Sequence, residues 1–324
     1  MVVLVVGGAG YIGSHAARAL KRAGHEVIVY DNLCTGFEFL ASGFELVKAD
    51  MLDGSALGRV LPRVDAIMHF AAHAYVGESG TNPRKYFHNN VEGGLTLLNA
   101  ALDAGVKKVI YSSTCAVYGE PAKVPIEENT PRLPVNTYGV SKLFFEQALE
   151  AYERAYGFRF VALRYFNAAG ADESGEIGEL HDPETHLIPL ALRAAAGLGQ
   201  ELQVFGSDYP TPDGTCVRDY IHVNDLASAH VRALDYLAAG KPSVAVNVGT
   251  GEGYSVQQVI SAVEEVTGKR VPRKVVARRP GDPPALVANP AKAKQLLQWK
   301  AERGLREVVQ TAWAFMQRQQ VAAR

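Results

Sequence analysis

A doubly wound, parallel α/β sheet with a smaller C-terminal α/β unit is the fold class this sequence predicts, on three observations. Short apolar runs alternate with longer stretches of helical period through the first half of the chain. Runs such as Val2–Val6 and Val109-Ile110 are almost continuously apolar, as expected of strands covered by helices on both faces. The first run leads directly into a glycine-rich turn where a helix should open.

Six strands are expected in this half: 2–6, 26–30, 45–48, 66–70, 108–112 and 160–164. Gly24, after Leu20-Lys21-Arg22, is placed to end the first helix in a left-handed conformation with basic residues in the last turn. From about Asn167 the pattern loosens, with Gly, Pro and acidic residues through 170–183 and 206–214, which marks a second unit. Residues 217–237 read as a short strand entering a helix that returns to the first unit. The expected division is 1–166, with a return of about 217–248, and 167–324. The Gln-rich end, 316–324, reads as a fraying helix.

Thirty-three Lys and Arg face 34 Asp and Glu, so no electrostatic footprint for nucleic acid exists. Three dispersed cysteines, Cys34, Cys115 and Cys216, make neither a disulfide framework nor a zinc site, and a cytoplasmic location is expected. The apolar start lacks a basic flank and stops at Gly7, so it reads as a strand; neither a signal peptide nor a membrane partner is expected.

Glycines 7, 10 and 13 follow the first strand at G-x-x-G-x-x-G spacing, the Rossmann-type arrangement that turns backbone amides towards a pyrophosphate. Gly7 permits the tight turn, Gly10 close approach of the phosphates, and Gly13 close packing of helix on strand. Asp31 ends the second strand 18 residues beyond Gly13, the place of a carboxylate that holds a ribose diol and repels a 2′-phosphate. NAD is therefore expected rather than NADP. Asp50, after the third strand, is positioned for the adenine amino group or for a turn of its own.

Tyr138 and Lys142 stand four apart, on one face of a helix. A nearby ammonium, together with a nicotinamide cation, should favour the phenolate and make Tyr138 an acid and base. The fifth strand ends in Tyr111-Ser112-Ser113-Thr114-Cys115, so the Thr114 hydroxyl should share the same carboxyl edge of the sheet. Cys115 has no basic partner in sequence and reads as packing. His69 and His73 lack a third ligand, so no metal is expected; His69 reads as packed under the cofactor.

With Arg164-Tyr165-Phe166-Asn167, these motifs resemble the extended short-chain dehydrogenase/reductase family. The likeness continues through Tyr30-Asp31-Asn32-Leu33, His69-Phe70-Ala71-Ala72, Asn89-Asn90-Val91, Val217-Arg218-Asp219-Tyr220 and Arg279-Pro280-Gly281-Asp282. It implies a tightly held NAD and inversion at C4 of a UDP-linked sugar through a 4-keto intermediate. Tyr138 would take the O4 proton, Thr114 would hydrogen-bond there, and Lys142 would reach the nicotinamide ribose. The cofactor contacts it implies are Gly7, Gly10, Tyr11, Ile12, Gly13, Asp31, Asn32, Asp50, Met51, Phe70, Ala71, Ala72, Asn89, Ser112, Tyr138, Lys142 and Tyr165. The substrate contacts are Thr114, Tyr138, Asn167, His186, Leu187, Phe205, Arg218, Tyr220, Arg279 and Asp282. Arg218 and Arg279 would pair with the diphosphate, Asp282 hold the uridine ribose, Tyr220 and Phe205 wall the uracil, and Leu187 offer backbone amides. His186 stands where relatives often carry Asn, which leaves its polar contact to the nucleotide sugar open, and Leu286, beside the sugar's C2 substituent, leaves 2-acetamido sugars undecided; UDP-pentose and UDP-uronate also stay open, and a non-catalytic NAD-binding scaffold is the alternative of another class. Cys115-Ala116 after Thr114 argues against dehydration, which needs an Asp-Glu pair there. A homodimer is also implied.

Overall fold

All six strands expected in the first half form, and a seventh joins their sheet. The computed structural model describes residues 1–279 and 281–322; Pro280 of the Arg279-Pro280-Gly281-Asp282 motif, and Ala323 and Arg324 of the expected C-terminal helix, lie outside the described residues. The first part of the chain comprises β1 (Val2–Val6), α1 (Tyr11–Arg22), β2 (Glu26–Asp31), β3 (Glu45–Lys48), α2 (Gly54–Val60), β4 (Ala66–His69), α3 (Val76–Thr81), α4 (Pro83–Tyr86), α5 (Gly94–Asp103), β5 (Lys108–Thr114), α6 (Thr137–Tyr156) and β6 (Arg159–Tyr165). There follow β7 (Asn167–Ala169), α7 (Leu187–Ala196), β8 (Leu202–Phe205), β9 (Val217–Arg218), β10 (Tyr220–His222), α8 (Val223–Ala238), β11 (Val244–Val248), β12 (Tyr254–Ser255), α9 (Val256–Thr267), β13 (Arg273–Val276), β14 (Ala285–Leu286), α10 (Ala291–Leu297) and α11 (Leu305–Ala322).

The large sheet is parallel throughout, in the order β11-β6-β5-β4-β1-β2-β3. Its two faces explain the unbroken apolar runs. Val3 and Val5 of β1 pack with Val29, Met68, Val161 and the buried face of α8, while Leu4 and Val6 pack with Ile28, Ile67, Val109 and side chains of α2, α5 and α6. Strand order reverses between β1 and β4, which opens a crevice beyond their carboxyl ends. Gly24 ends α1 as expected, with φ +84° behind Lys21 and Arg22.

The region 217–248 divides in a way its sequence did not show. Strands β9 and β10 stay out of the large sheet: β9 lies between β12 and β14, and β10 pairs with β7. Helix α8 and strand β11 do return, α8 packing beside α1 and β11 pairing with β6. The strands 217–218 and 220–222 are too short to span a sheet face, and each finds partners among other short segments. A second core is formed by α7, α9 and α11 around Ile188, Leu192, Val259, Ile260, Val263 and Val308.

Candidate active site

The glycine turn at the end of β1 is held by steric contacts that exclude a side chain. A Cβ on Gly7, at φ +82°, would lie 2.5 Å from the Ala71 nitrogen, and one on Gly13 would lie 2.2 Å from the Gly7 oxygen. At Gly10 the same atom would meet only the Gly7 oxygen, at 3.3 Å, so the outer side of the turn is open. Asp31 is buried where β2 ends; its Oδ2 accepts from Ala9 N at 2.9 Å and its Oδ1 from Leu33 N at 2.8 Å. Those bonds aim the carboxylate across the turn and leave each oxygen a further lone pair for a hydroxyl. Asn32 Nδ2 donates to Asp50 Oδ2 at 2.7 Å, and Asp50 Oδ1 accepts from Leu52 N, beside the buried Met51. An open glycine turn, a fixed carboxylate beyond it and an Asn-Asp pair fit the diphosphate, ribose and adenine of NAD.

Phe70 N and Ala71 N both donate to Val6 O, so the 70–72 segment borders the crevice opposite the turn, with Ile12 packed against the core on the other side. Asn89 lies in a stretch of π-helix, Phe87–Gly93, a geometry frequent at functional sites. Its neighbour Asn90, part of the Asn89-Asn90-Val91 motif, had no role assigned from the sequence. It is buried, accepts from His73 N, and donates to His73 O and Ser141 Oγ, which joins the loop after β4 to α6. Buried asparagine with both amide ends engaged is the signal that was available only in three dimensions.

Tyr138 and Lys142 occupy the first turns of α6, whose start is set by Asn136 Oδ1 accepting from Gly139 N at 2.8 Å. Both are buried. Lys142 Nζ donates to Ser112 O at 2.8 Å and sits 5.0 Å from the Tyr111 ring centre and 5.9 Å from that of Tyr138. Ser112 Oγ and Tyr165 Oη are hydrogen-bonded at 2.8 Å. Helix α6 and the ends of β5 and β6 therefore bring Tyr138, Lys142, Thr114, Ser112 and Tyr165 together.

The electrostatics correct the simple view of an ammonium acidifying a phenol. Burial drives the Tyr138 phenol well above its ordinary value, Tyr165 adds to this, and only the Thr114 hydroxyl pulls it down. Lys142 is itself lowered to about 7 by burial, against an opposing pull from Glu146, so it carries a weakened charge near neutrality. The protein alone thus stores a neutral phenol. Burial also takes Cys115 up to about 12 and His69 down to about 3, and His69 packs against Tyr111 and Phe145 at 5.6 and 5.0 Å. Cys115 packs against Val117, Tyr118 and Phe166, the packing role expected of it, and His69 packs among aromatic side chains.

Beneath Lys142 lies a buried ionic network that sequence reading missed. Arg164 Nε and Nη2 donate to the two oxygens of Glu146 at 2.9 and 2.6 Å, Ser113 Oγ donates to Glu146 at 2.6 Å, and Arg164 Nη1 donates to Tyr118 Oη at 2.9 Å. Tyr118 in turn donates to Asn247 Oδ1 at 2.7 Å, so β5, α6, β6 and β11 are tied at one level. Residues far apart in sequence give such a network no local pattern.

On the far side of the crevice, β9 pairs with β14 so that Arg218 stands opposite Leu286, and β7 pairs with β10 so that Asn167 stands opposite Tyr220. Arg218 donates to the Asp282 carboxylate and to Pro283 O, and buried Tyr220 is close to both charges. Asp282, expected at a ribose, thus orients the guanidinium. Arg279 lies over the Phe205 ring at 3.9 Å, and Arg278 is drawn away to Asp208 at 2.7 Å and the Tyr209 ring. A cavity of about 580 Å³ opens beside Arg279 and Asp282. His186 stands at the N-cap position of α7 ahead of Leu187 without a side-chain cap, and its Nδ1 faces Glu179 and Glu184 at 3.0 and 2.8 Å instead of joining Arg218.

The NAD dependent epimerase/dehydratase family matches residues 3–249, and the chain belongs to that family. It is 51% identical over 318 residues, 98% of this chain and 97% of the relative, to the UDP-glucose 4-epimerase of Rhizobium meliloti (strain 1021). Among solved structures, UDP-glucose 4-epimerase from Brucella ovis in complex with NAD is 50% identical with a TM-score of 0.94, over 96% of this chain and 97% of that one. UDP-glucose-4-epimerase from Stenotrophomonas maltophila, with bound NAD and formylated UDP-arabinopyranose, is 42% identical with a TM-score of 0.96, over 99% of both chains.

Proposed function

We propose that this chain is an NAD-dependent UDP-sugar 4-epimerase that interconverts UDP-glucose and UDP-galactose. The observation that carries the reading is the grouping of Tyr138, Lys142 and Thr114 at the sheet edge that also holds the glycine turn and Asp31. The relatives named above supply the substrate class. NAD, which the Gly7–Gly13 turn, Asp31 and the Asn32–Asp50 pair would hold, would supply the reversible hydride acceptor that inversion at C4 through a 4-ketone requires. Its nicotinamide cation would lower the phenol that burial holds up.

Tyr138 takes the O4 proton as the C4–H bond breaks and gives it back once the ketone has turned over. Thr114 holds O4 and the phenol in line. Lys142, fixed by Ser112 O, reaches the nicotinamide ribose and lends what charge it keeps. Arg218, set by Asp282, and Arg279, over Phe205, grip the diphosphate with planar forks. Anchoring by the nucleotide leaves the sugar free to rotate, which the inversion requires.

Exposed Phe87, Val140 and Phe144 on neighbouring turns around α5 and α6 support a homodimer through that face. No helix among the described residues is long and apolar enough to cross a membrane; we keep a cytoplasmic location as part of the proposal. Incubation of purified protein with UDP-galactose and no added NAD should yield UDP-glucose. Release of a dehydrated keto sugar, or no product from protein shown to carry NAD, would displace the proposal.

A further inference from the structure

Glu179, His181, Glu184 and His186 lie within eight residues of one another in the segment before α7, and their ligand atoms all fall within 4.8 Å. His186 Nδ1 is 3.0 Å from Glu179 Oε1 and 2.8 Å from Glu184 Oε1; His181 Nδ1 is 3.3 Å from Glu179 Oε1 and 3.6 Å from Glu184 Oε2. We propose that these four side chains bind one divalent transition-metal ion, zinc in the first place, at a structural site outside the catalytic group.

Three observations carry this. Metal-to-ligand bonds of about 2.0–2.1 Å give a tetrahedron with edges of about 3.3 Å, and with Glu179 Oε1, His181 Nδ1, Glu184 Oε2 and His186 Nδ1 as the ligand atoms three of its edges stand at 3.0, 3.3 and 3.6 Å. The carboxylates are deeply buried, with side-chain exposures of 6% for Glu179 and 5% for Glu184, and among the described residues their only ion-pair partners are these two histidines. Two buried carboxylates turned to one point need a positive partner there; Glu184 Oε1 already accepts from Thr185 N, His186 N and His186 Nδ1, so Glu184 Oε2 and the Glu179 carboxylate are the oxygens left for an ion. Finally, His181 Nδ1 is buried and makes no hydrogen bond although Glu179 Oε1 lies 3.3 Å away. A ring nitrogen among carboxylate oxygens, yet off the hydrogen-bond direction, is oriented as a lone pair shared with them around a cation.

Two imidazoles and two carboxylates suit zinc better than magnesium or calcium, which favour oxygen ligands throughout. Four protein ligands fill a tetrahedron and leave no open position, so the ion would organise structure and not activate water. What it would organise is visible. The His181 ring packs edge-on to Tyr11, at the opening of α1, and to Tyr75, at 6.3 and 6.2 Å between centres, and His186 stands at the N-cap position of α7. The ion would clamp the segment between the glycine turn and the helix start that carries Leu187.

The test uses full-length, tag-free protein with its NAD, dialysed against a chelator and then titrated with Zn²⁺ or with Co²⁺. One equivalent of zinc per chain by elemental analysis is expected, with Tm raised by several degrees and, for cobalt, the intense visible bands of a tetrahedral site. His181→Ala and Glu184→Gln should each lose the equivalent and the Tm response while NAD content stays unchanged. Should either variant fail to fold, the wild-type cobalt spectrum decides alone. Absence of stoichiometric metal, a weak octahedral cobalt spectrum, or full metal retention in both variants would overturn the proposal and leave two imidazole–glutamate ion pairs.

Discussion

At the glycine turn the decisive contacts are backbone against backbone: the Gly7 and Gly13 positions admit no Cβ, and Asp31 holds the turn through Ala9 N. Around Arg218 they are side chain against side chain, Arg218 on Asp282 and Arg279 on Phe205. The first region is fixed by covalent geometry over a few neighbouring residues, the second by charges brought from segments some sixty residues apart. Preorganisation by sterics tolerates almost no substitution, whereas preorganisation by charge can be retuned one pair at a time.

Four experiments sharpen that contrast. Tyr138→Phe should lower kcat about 10³-fold, within the range of a lost acid–base group, with NAD still bound by absorbance of the denatured extract; turnover near wild type would remove Tyr138 from the chemistry. Glu146→Ala leaves the buried Arg164 guanidinium without its carboxylate and should cost roughly 3–5 kcal/mol by urea unfolding. A loss under about 1 kcal/mol would mean that water or Tyr118 replaces the partner. Gly13→Ala forces overlap with the Gly7 oxygen and should cost about 1–3 kcal/mol together with the retained NAD, measured by Tm and cofactor content. Arg218→Lys keeps the charge but loses the fork, so KM for the UDP-sugar should rise about tenfold with NAD retention intact; equal loss of NAD would show that the two regions are not separable.

A separate effect is expected from pH. Lys142 sits at about 7 in the folded protein against 10.5 unperturbed. Between those values the unfolded chain binds more protons, so this residue adds a stability gain as pH rises from about 7 towards 10.5. Burial is the cause, so Lys142→Met should lack that slope. Parallel Tm-against-pH curves for the two proteins would dismiss the assignment.

The alternation of short apolar runs with helical stretches, the glycine turn and the Tyr138–Lys142 spacing were all set locally, because each depends on residues within a turn or a strand of one another. Thus the six strands, the crevice and the placing of Tyr138 and Lys142 on one helix face beside the end of β5 were legible in order along the chain. Tertiary structure alone decided the rest. It sent β9 and β10 to small sheets while α8 and β11 returned to the large one, buried Arg164 against Glu146, assigned Asp282 to Arg218, and drew His186 to Glu179 and Glu184. Those outcomes rest on packing and charge pairing between distant segments, where burial changes the strength of every interaction. A linear pattern carries neither the distance nor the degree of desolvation.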